Sequence, residues 1–158
     1  MILPLFCFGS LMDEDVLTCV LGECPASRIV IEPAIFVDYR RARLPHESYP
    51  MLVPEADSIV EGVLLCGLNK KDLDRSVFFE GEEYELSPCQ VKLADETCAE
   101  ALFFDEGIMP LPETEAWDYK LWATQHKDYM LRQSRVYMSL NGKMSAAEAD
   151  VHWQTYVE

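Results

Sequence analysis

The chain is poor in positive charge: 13 Lys and Arg stand against 28 Asp and Glu over 158 residues. So acidic a molecule repels phosphate backbones and anionic lipid surfaces, so neither nucleic acid nor membrane is expected as a partner, and the charge reads as a solubility device. No apolar run reaches transmembrane length. The opening Met1-Ile2-Leu3-Pro4-Leu5-Phe6-Cys7-Phe8 lacks the basic n-region and longer apolar stretch of a signal peptide, so a cytoplasmic protein is expected. Metal chemistry has little to build on. The six cysteines, Cys7, Cys19, Cys24, Cys66, Cys89 and Cys98, form no C-x-x-C pair, and most sit inside apolar runs. They read as buried, reduced thiols rather than as a disulfide framework or a metal site. His46, His126 and His152 are scattered, with neither an H-E-x-x-H nor a Cys–His spacing, so neither metal nor cofactor is expected. Repeats, linkers and low-complexity segments are missing as well.

Apolar residues are not scarce: they make up 49% of the chain, enough for a real core in one domain of this length. The reading is a single domain over 1–158, with a helical C-terminal segment from about residue 115. Leu3 to Phe8 is a short apolar run stopped by Gly9, as for a buried first strand. Asp13 reads as the N-cap of a short helix carrying Val16, Leu17, Val20 and Leu21 and ended by Gly22. Arg28–Ile31 and Ala34–Tyr39 read as two strands separated at Glu32-Pro33. Pro45, Pro50 and Pro54 punctuate an expected loop region around Met51-Leu52-Val53, and Ile59–Leu68 reads as a central strand. Asn69 starts a brief helix through Leu73 that runs towards Phe78-Phe79. Tyr84–Leu93 and Ala99–Phe104 read as strands around an Asp95-Glu96 turn, and Pro110 and Pro112 close the β-rich part. From about Glu115 to Leu140 the period is helical, with Trp117, Leu121, Trp122, Tyr129, Met130, Val136 and Tyr137 on one broad core face. Asn141-Gly142 ends that helix, and Ser145 caps a last one holding Val151, Trp153 and Tyr156. Short strands first and helices last define an α+β class.

Two places carry chemistry. At Phe8-Gly9-Ser10-Leu11 a strand stops at glycine ahead of a helix, which leaves outward-facing N–H groups that suit a carboxylate or phosphate. The alternative is an ordinary strand–Gly–Ser turn. At Phe78-Phe79-Glu80-Gly81-Glu82-Glu83-Tyr84, two phenylalanines precede Glu80 and a glycine follows it. If the rings wall the carboxyl from water, desolvation would favour its protonated form, and Glu82, Glu83 and Glu85 would push the same way by like-charge repulsion. Such a group is a usable general acid/base. The alternative is an acidic, solvated turn before a strand.

Taken together and in order, these segments resemble the γ-glutamylcyclotransferase-like superfamily, including its avirulence-induced-gene-like, γ-glutamylamine cyclotransferase branch. The family's Y-G-[ST]-L is matched by Phe8-Gly9-Ser10-Leu11. Its tyrosine–proline–apolar stretch is matched by Tyr49-Pro50-Met51-Leu52-Val53-Pro54, and its x-G-x-L strand by Glu61-Gly62-Val63-Leu64. Its L-D-x-x-x-x-[FL]-E-G-x-x-Y runs here from Leu73-Asp74 through Phe79-Glu80-Gly81 to Tyr84, and Trp117 and Trp122 stand for its Trp-rich helix. The resemblance spans about residues 3–135. It implies a small mixed β-barrel-like sheet flanked by helices, with the pocket at the strand ends. It implies further that Gly9, Ser10 and Leu11 hold a glutamyl α-carboxylate through backbone N–H groups, beside Phe8. Glu80 corresponds to the catalytic glutamate, and Tyr84 lines the pocket. Three departures bear on substrate and activity: Phe8 where tyrosine is usual, Val77 where many members carry an acid, and Leu86 in place of a frequent arginine.

The reaction so implied converts a γ-glutamyl amine or amino acid to 5-oxoproline and a free amine. The substrate's own α-amine closes a five-membered ring, and a held near-attack pose supplies effective molarities of roughly 10⁵–10⁸ M. One carboxyl can take the amine's proton and return it to the leaving group, so no triad or metal is needed. A non-catalytic module binding a small ligand on the same fold is the alternative. An aromatic docking surface at Trp153 and Tyr156 and a hydrolase built on Ser10 are weaker readings; the latter lacks G-x-S-x-G.

Overall fold

Alternation along one three-residue strand sets the plan of the molecule. In the computed structural model, which describes residues 2–22, 28–43, 50–81, 84–105 and 117–152, β1 is Leu5–Cys7. Successive side chains of a strand face opposite ways. Phe6 and Phe8 therefore join Ala34, Phe36, Val60, Leu64, Val91, Ala101 and Phe103, a cluster drawn only from β1, the residue after it and the other four strands. Leu5 and Cys7 join a second cluster shared with the helices, among them Leu11, Leu17, Phe78, Trp122 and Tyr137. The first cluster fills a closed barrel in the order β1-β3-β2-β4-β5, and the second glues the helices to its outside. β1 runs antiparallel to β3 and closes the ring through a parallel contact of Leu5 with Leu102 on β5. Gly62 makes the β1–β3 contact feasible: a Cβ there would lie 2.4 Å from the Cys7 carbonyl oxygen and 2.8 Å from the Phe6 ring.

β2 is one strand, Val30–Arg43, and β3 is one strand, Pro50–Cys66. Neither the expected break at Glu32-Pro33 nor the loop around Met51-Leu52-Val53 exists. Pro33 pairs with Val63, and β4 joins β2 only at Ala34 and Ile35, so the proline stands where β2 has no second neighbour to bond. Pro54 is accommodated by a bulge. Val37 pairs with Ile59 but Tyr39 with Pro54, so residues 55–58 bow out opposite Asp38. Asp38 and Asp57 take positive φ of 64° and 67°, which aspartate tolerates, and the Asp57 N–H donates to Asp38 Oδ1 at 3.1 Å. β4, Glu85–Leu93, and β5, Cys98–Asp105, form the expected hairpin, its turn containing Glu96 at φ 67°.

Helix α1, Glu14–Leu21, begins and ends as expected: Asp13 Oδ1 accepts from the Asp15 and Val16 N–H groups, and Gly22 closes it at φ 82°. α2 is longer than expected. It starts at the Asn69 cap but runs Lys70–Glu80, because nothing in that stretch breaks a helix before Gly81. Its start is a reciprocal box: Asn69 Oδ1 accepts from the Asp72 N–H and Asp72 Oδ2 from the Asn69 N–H, both at 2.9 Å. The expected single C-terminal helix is two, α3 Tyr119–Gln125 and α4 Lys127–Ser139, separated at His126 with φ −124°. That break shifts the buried stripe. Trp122 is core before it and Leu131, Ser134, Tyr137 and Met138 after it, while Leu121 and Tyr129 are 51% and 52% exposed, contrary to the expected face. Ser145 caps α5, Ala146–His152. Cys7 is buried, but Cys19, Cys66 and Cys89 are only half-buried and Cys98 is exposed, so burial does not describe the cysteines as a group. No helix among the described residues is long and apolar enough to cross a membrane. Cys24, His46, Tyr49, Glu82, Glu83, Pro110, Pro112, Trp153 and Tyr156, and Pro45 of the expected loop, lie outside the described residues.

Candidate functional site

Beyond Cys7 the chain leaves β1 through Phe8 and Gly9 and coils into a single 3-10 turn, Ser10–Met12. The Met12 N–H donates to the Gly9 carbonyl and the Asp13 N–H to the Ser10 carbonyl, both at 3.0 Å. The leading N–H groups of such a turn have no partner within it. A side chain at Gly9 would meet the Pro50 ring at 3.1 Å, so the turn sits tight against the start of β3. Phe8 sends its ring into the barrel, stacked on Phe6 at 6.3 Å, and Leu11 packs into the outer cluster with Cys7. What Phe8 offers on the turn is therefore its carbonyl. Ser10 is buried in the turn itself.

The turn is braced from behind. Asp13 Oδ2 accepts from the Tyr119 hydroxyl at 2.8 Å and lies 2.9 Å from Lys127 Nζ. Burial alone would push the Asp13 carboxyl up. The bonds from Lys127, Tyr119 and the Val16 N–H outweigh burial, and the carboxyl lies below its ordinary range. Burial and that same carboxylate push the Tyr119 phenol up to about 12.

α2 brings Glu80 to this end of β1. Arg28 grips Asp72 through two bonds of 2.5 Å at the helix start, and Arg75 Nε donates to the Val20 carbonyl at 2.6 Å, which docks α2 on the last turn of α1. At the other end the Phe78 ring packs on Tyr137 at 4.9 Å, and Phe79 is partly buried in the outer cluster. Glu80 is the last helical residue, half-buried, and not part of a solvated turn. Gly81 follows at φ 87°, its N–H returning to the Val77 carbonyl at 3.2 Å. The Glu80 charge is felt at β1: burial first, and then Glu80, push the Cys7 thiol far above its ordinary range. Tyr84 and Leu86 pack against the same outer cluster as Cys7, Leu11 and Phe78. Glu80, Leu11 and Tyr84 thus share one side of the barrel with the residue that precedes Phe8-Gly9-Ser10.

Sequence reading missed Arg41. On β2, one turn of pairing from the bulge, its Nη1 donates to the Phe8 and Glu61 carbonyls at 2.9 Å each, and its guanidinium lies 5.2 Å above the Trp117 ring. The available signal was a pair of arginines, Arg40-Arg41, in a β-branched and aromatic stretch of an acidic chain.

A closed five-stranded barrel with helices packed on one outer side is the fold of γ-glutamyl cyclotransferase-like proteins. A solved structure named gamma-glutamyl cyclotransferase aligns over 70% of this chain and 68% of its own with TM-score 0.51, at 13% identity. A model of the family described as "Gamma-glutamyl cyclotransferase, AIG2-like" matches residues 5–140, and the chain belongs to that family. It is 26% identical to AIG2-like protein D of Arabidopsis thaliana over 140 residues, covering 82% of this chain and 85% of that one. A solution structure of another Arabidopsis thaliana protein superposes with TM-score 0.61 at 20% identity, covering 88% of this chain and 83% of its own, a likeness of fold. α5 lies beyond the family-matched span.

Proposed function

We propose that this protein is a cyclotransferase that converts a γ-glutamyl amine or amino acid into 5-oxoproline and the free amine, with Glu80 as the single general acid/base. The observation that carries the reading is the position of Glu80. It ends α2 half-buried, near enough to Cys7 to act on its thiol, and Cys7 is one residue from the Phe8-Gly9-Ser10-Leu11 turn. Family membership supports the class of reaction.

The chemistry needs little machinery. The α-amine of the substrate is mostly ammonium near neutral pH, so the Glu80 carboxylate accepts one proton. The freed nitrogen attacks the γ-carbonyl carbon, a C–N bond forms, and the oxygen takes the electron pair. When that pair returns, the original γ-amide C–N bond breaks and the Glu80 carboxylic acid gives its proton to the departing amine. The carboxylate so regenerated takes the second proton from the still cationic ring nitrogen and passes it to the released amine or to water, which leaves the neutral lactam N–H. The Gly9, Ser10 and Leu11 N–H groups anchor the α-carboxylate, which holds the γ-glutamyl arm folded. Tyr84 contributes a wall and a hydroxyl. Helix termini favour this division: the start of the 3-10 turn presents donors for an anion, and the carbonyl end of α2 carries the proton-accepting group.

The test is incubation of the purified protein with γ-glutamyl dipeptides and γ-glutamyl-lysine while 5-oxoproline is followed. Release that Glu80→Gln lowers by about 10²–10⁴-fold is expected. Tight binding with no release from any of these compounds would replace the enzyme by a binding module on the same fold.

A further inference from the structure

In a chain of formal net charge −15, a partly buried arginine with no carboxylate partner among the described residues stands out. Arg28 shows the usual solution, two bonds to Asp72. Arg41 does not follow it. Among the described residues no carboxylate forms an ion pair with it; it has two carbonyl oxygens on Nη1, the Met12 sulfur at 4.0 Å and the face of Trp117. Its Nε is buried and has no hydrogen-bond partner among the described residues. Burial pulls the proton affinity of the guanidinium down, and the charges of Glu61 and Asp118 offset that only in part. A guanidinium removed from water without an anion is costly, and the cost is recovered when an anion arrives. The Phe8 carbonyl it holds immediately precedes the turn whose leading N–H groups have no partner within the turn, so the guanidinium lies next to the proposed anchor.

We propose that Arg41 supplies the countercharge for the ligand's α-carboxylate at the Phe8–Leu11 turn, and so determines selection of γ-glutamyl compounds with a free α-carboxylate over their α-carboxamides. This inference rests on the reading of the site as a γ-glutamyl pocket. A planar guanidinium suits a carboxylate better than an ammonium does, and its charge acts over the short distance from the Phe8 carbonyl even while Nη1 stays on that oxygen. Backbone N–H groups alone would donate to a carboxamide oxygen with modest loss of affinity. A cation behind them discriminates by charge.

Arg41 also ties Phe8, Glu61 and Trp117 together, so the experiment must separate recognition from propping. Binding of 5-oxoproline and of its carboxamide is measured by calorimetry on the full chain, wild type, Arg41→Lys and Arg41→Gln, with thermal unfolding of each. The probes differ only in the group under test, and neither needs turnover. The expected wild-type preference for the acid is roughly 10- to 100-fold, as for a hydrogen bond to a charged partner. It should fall to within about threefold in Arg41→Gln and be partly kept in Arg41→Lys. With a γ-glutamyl substrate, Arg41→Gln should raise KM more than it lowers kcat. Equal weakening of acid and carboxamide in a folded Arg41→Gln overturns the proposal, as does a wild type that does not distinguish the two. If Arg41→Gln does not fold, the wild-type preference and its reduction in Arg41→Lys decide alone. A wild type that releases 5-oxoproline from γ-glutamyl compounds yet lacks the preference defeats only the role of Arg41. A wild type that binds neither probe and releases nothing defeats the pocket reading itself.

Discussion

Two acidic residues of α2, Asp72 and Glu80, sit at its opposite ends in different surroundings. Asp72 lies in the first turn, where the helix dipole favours a negative charge; its side chain is 1% exposed, bonded to the Asn69 N–H and gripped by Arg28. The bonds from Arg28 hold its carboxyl well below the usual range, against burial. Glu80 closes the helix at the carbonyl end, where the dipole disfavours an anion, beside a buried thiol whose proton it helps to retain. The Arg28 and Asn69 bonds favour the charged form of Asp72. The same side-chain chemistry is held in an ion pair at one end of eleven residues, and at the other end it is the group to which the proposed reaction assigns the proton transfers.

The contrast can be broken by exchanging effects. The largest expected change is loss of 5-oxoproline release in Glu80→Gln, by the factor given above, with urea unfolding within about 1 kcal/mol of wild type. Should Glu80→Gln prove as destabilising as a change at Asp72, the division of labour fails. Next, we predict that Asp72→Asn costs on the order of 3 kcal/mol of stability, because it removes the charge from a buried carboxylate held by two Arg28 bonds and the Asn69 N–H, while kcat per folded molecule is retained. Urea titration with parallel activity measurement checks both halves. Gly81→Ala should cost about 1–3 kcal/mol, since φ 87° strains any side chain and its Cβ would lie 3.4 Å from Asp150 Oδ2. Because Gly81 fixes where α2 stops, that variant should also lower kcat, which a stability-only effect would not do under conditions where the protein stays folded.

The pH dependence sharpens the same comparison. Asp72 and Asp13 both have depressed folded-state values, so their contribution is fully present above the ordinary carboxylate value of about 3.9 and lost as pH falls through the folded ones. Acid unfolding followed by circular dichroism should show stability dropping below about pH 4, and Asp72→Asn should flatten that slope. An unchanged slope in Asp72→Asn would show that its charge is not the linked group. The smallest effect expected is about 1 kcal/mol for Asn69→Ala, the loss of a cap, read from the same titrations.

Some of this was legible in residues and some was not. Asp13 and Gly22 announced α1, and Asn69 announced the start of α2, because caps are local chemistry. The end of α2 is less legible: the helical stretch from Ser76 to Glu80 is followed at once by Gly81, and a glutamate beside that glycine resembles a turn residue although it belongs to the helix. The prolines misled for a different reason. Pro33 and Pro54 read as breaks, but a strand lacking a second neighbour needs no N–H at every position, and a bulge absorbs the mismatch. The motif places Phe8 and Leu11 at the site, but only the barrel shows that the first ring turns inward and the second side chain packs outward against the helices.

By itself the sequence determined what depends on neighbours in the chain: caps, the turn after β1, the β4–β5 hairpin and the ordered motifs that identify the family. Only the tertiary structure decided that Glu80 would come to the end of β1, some seventy positions away in sequence, and that Arg41 would reach across from β2 to the Phe8 carbonyl. The physical reason is closure. A five-stranded ring of this register puts β1 between β3 and β5, and α2 can bury Phe78 only by lying along that same side.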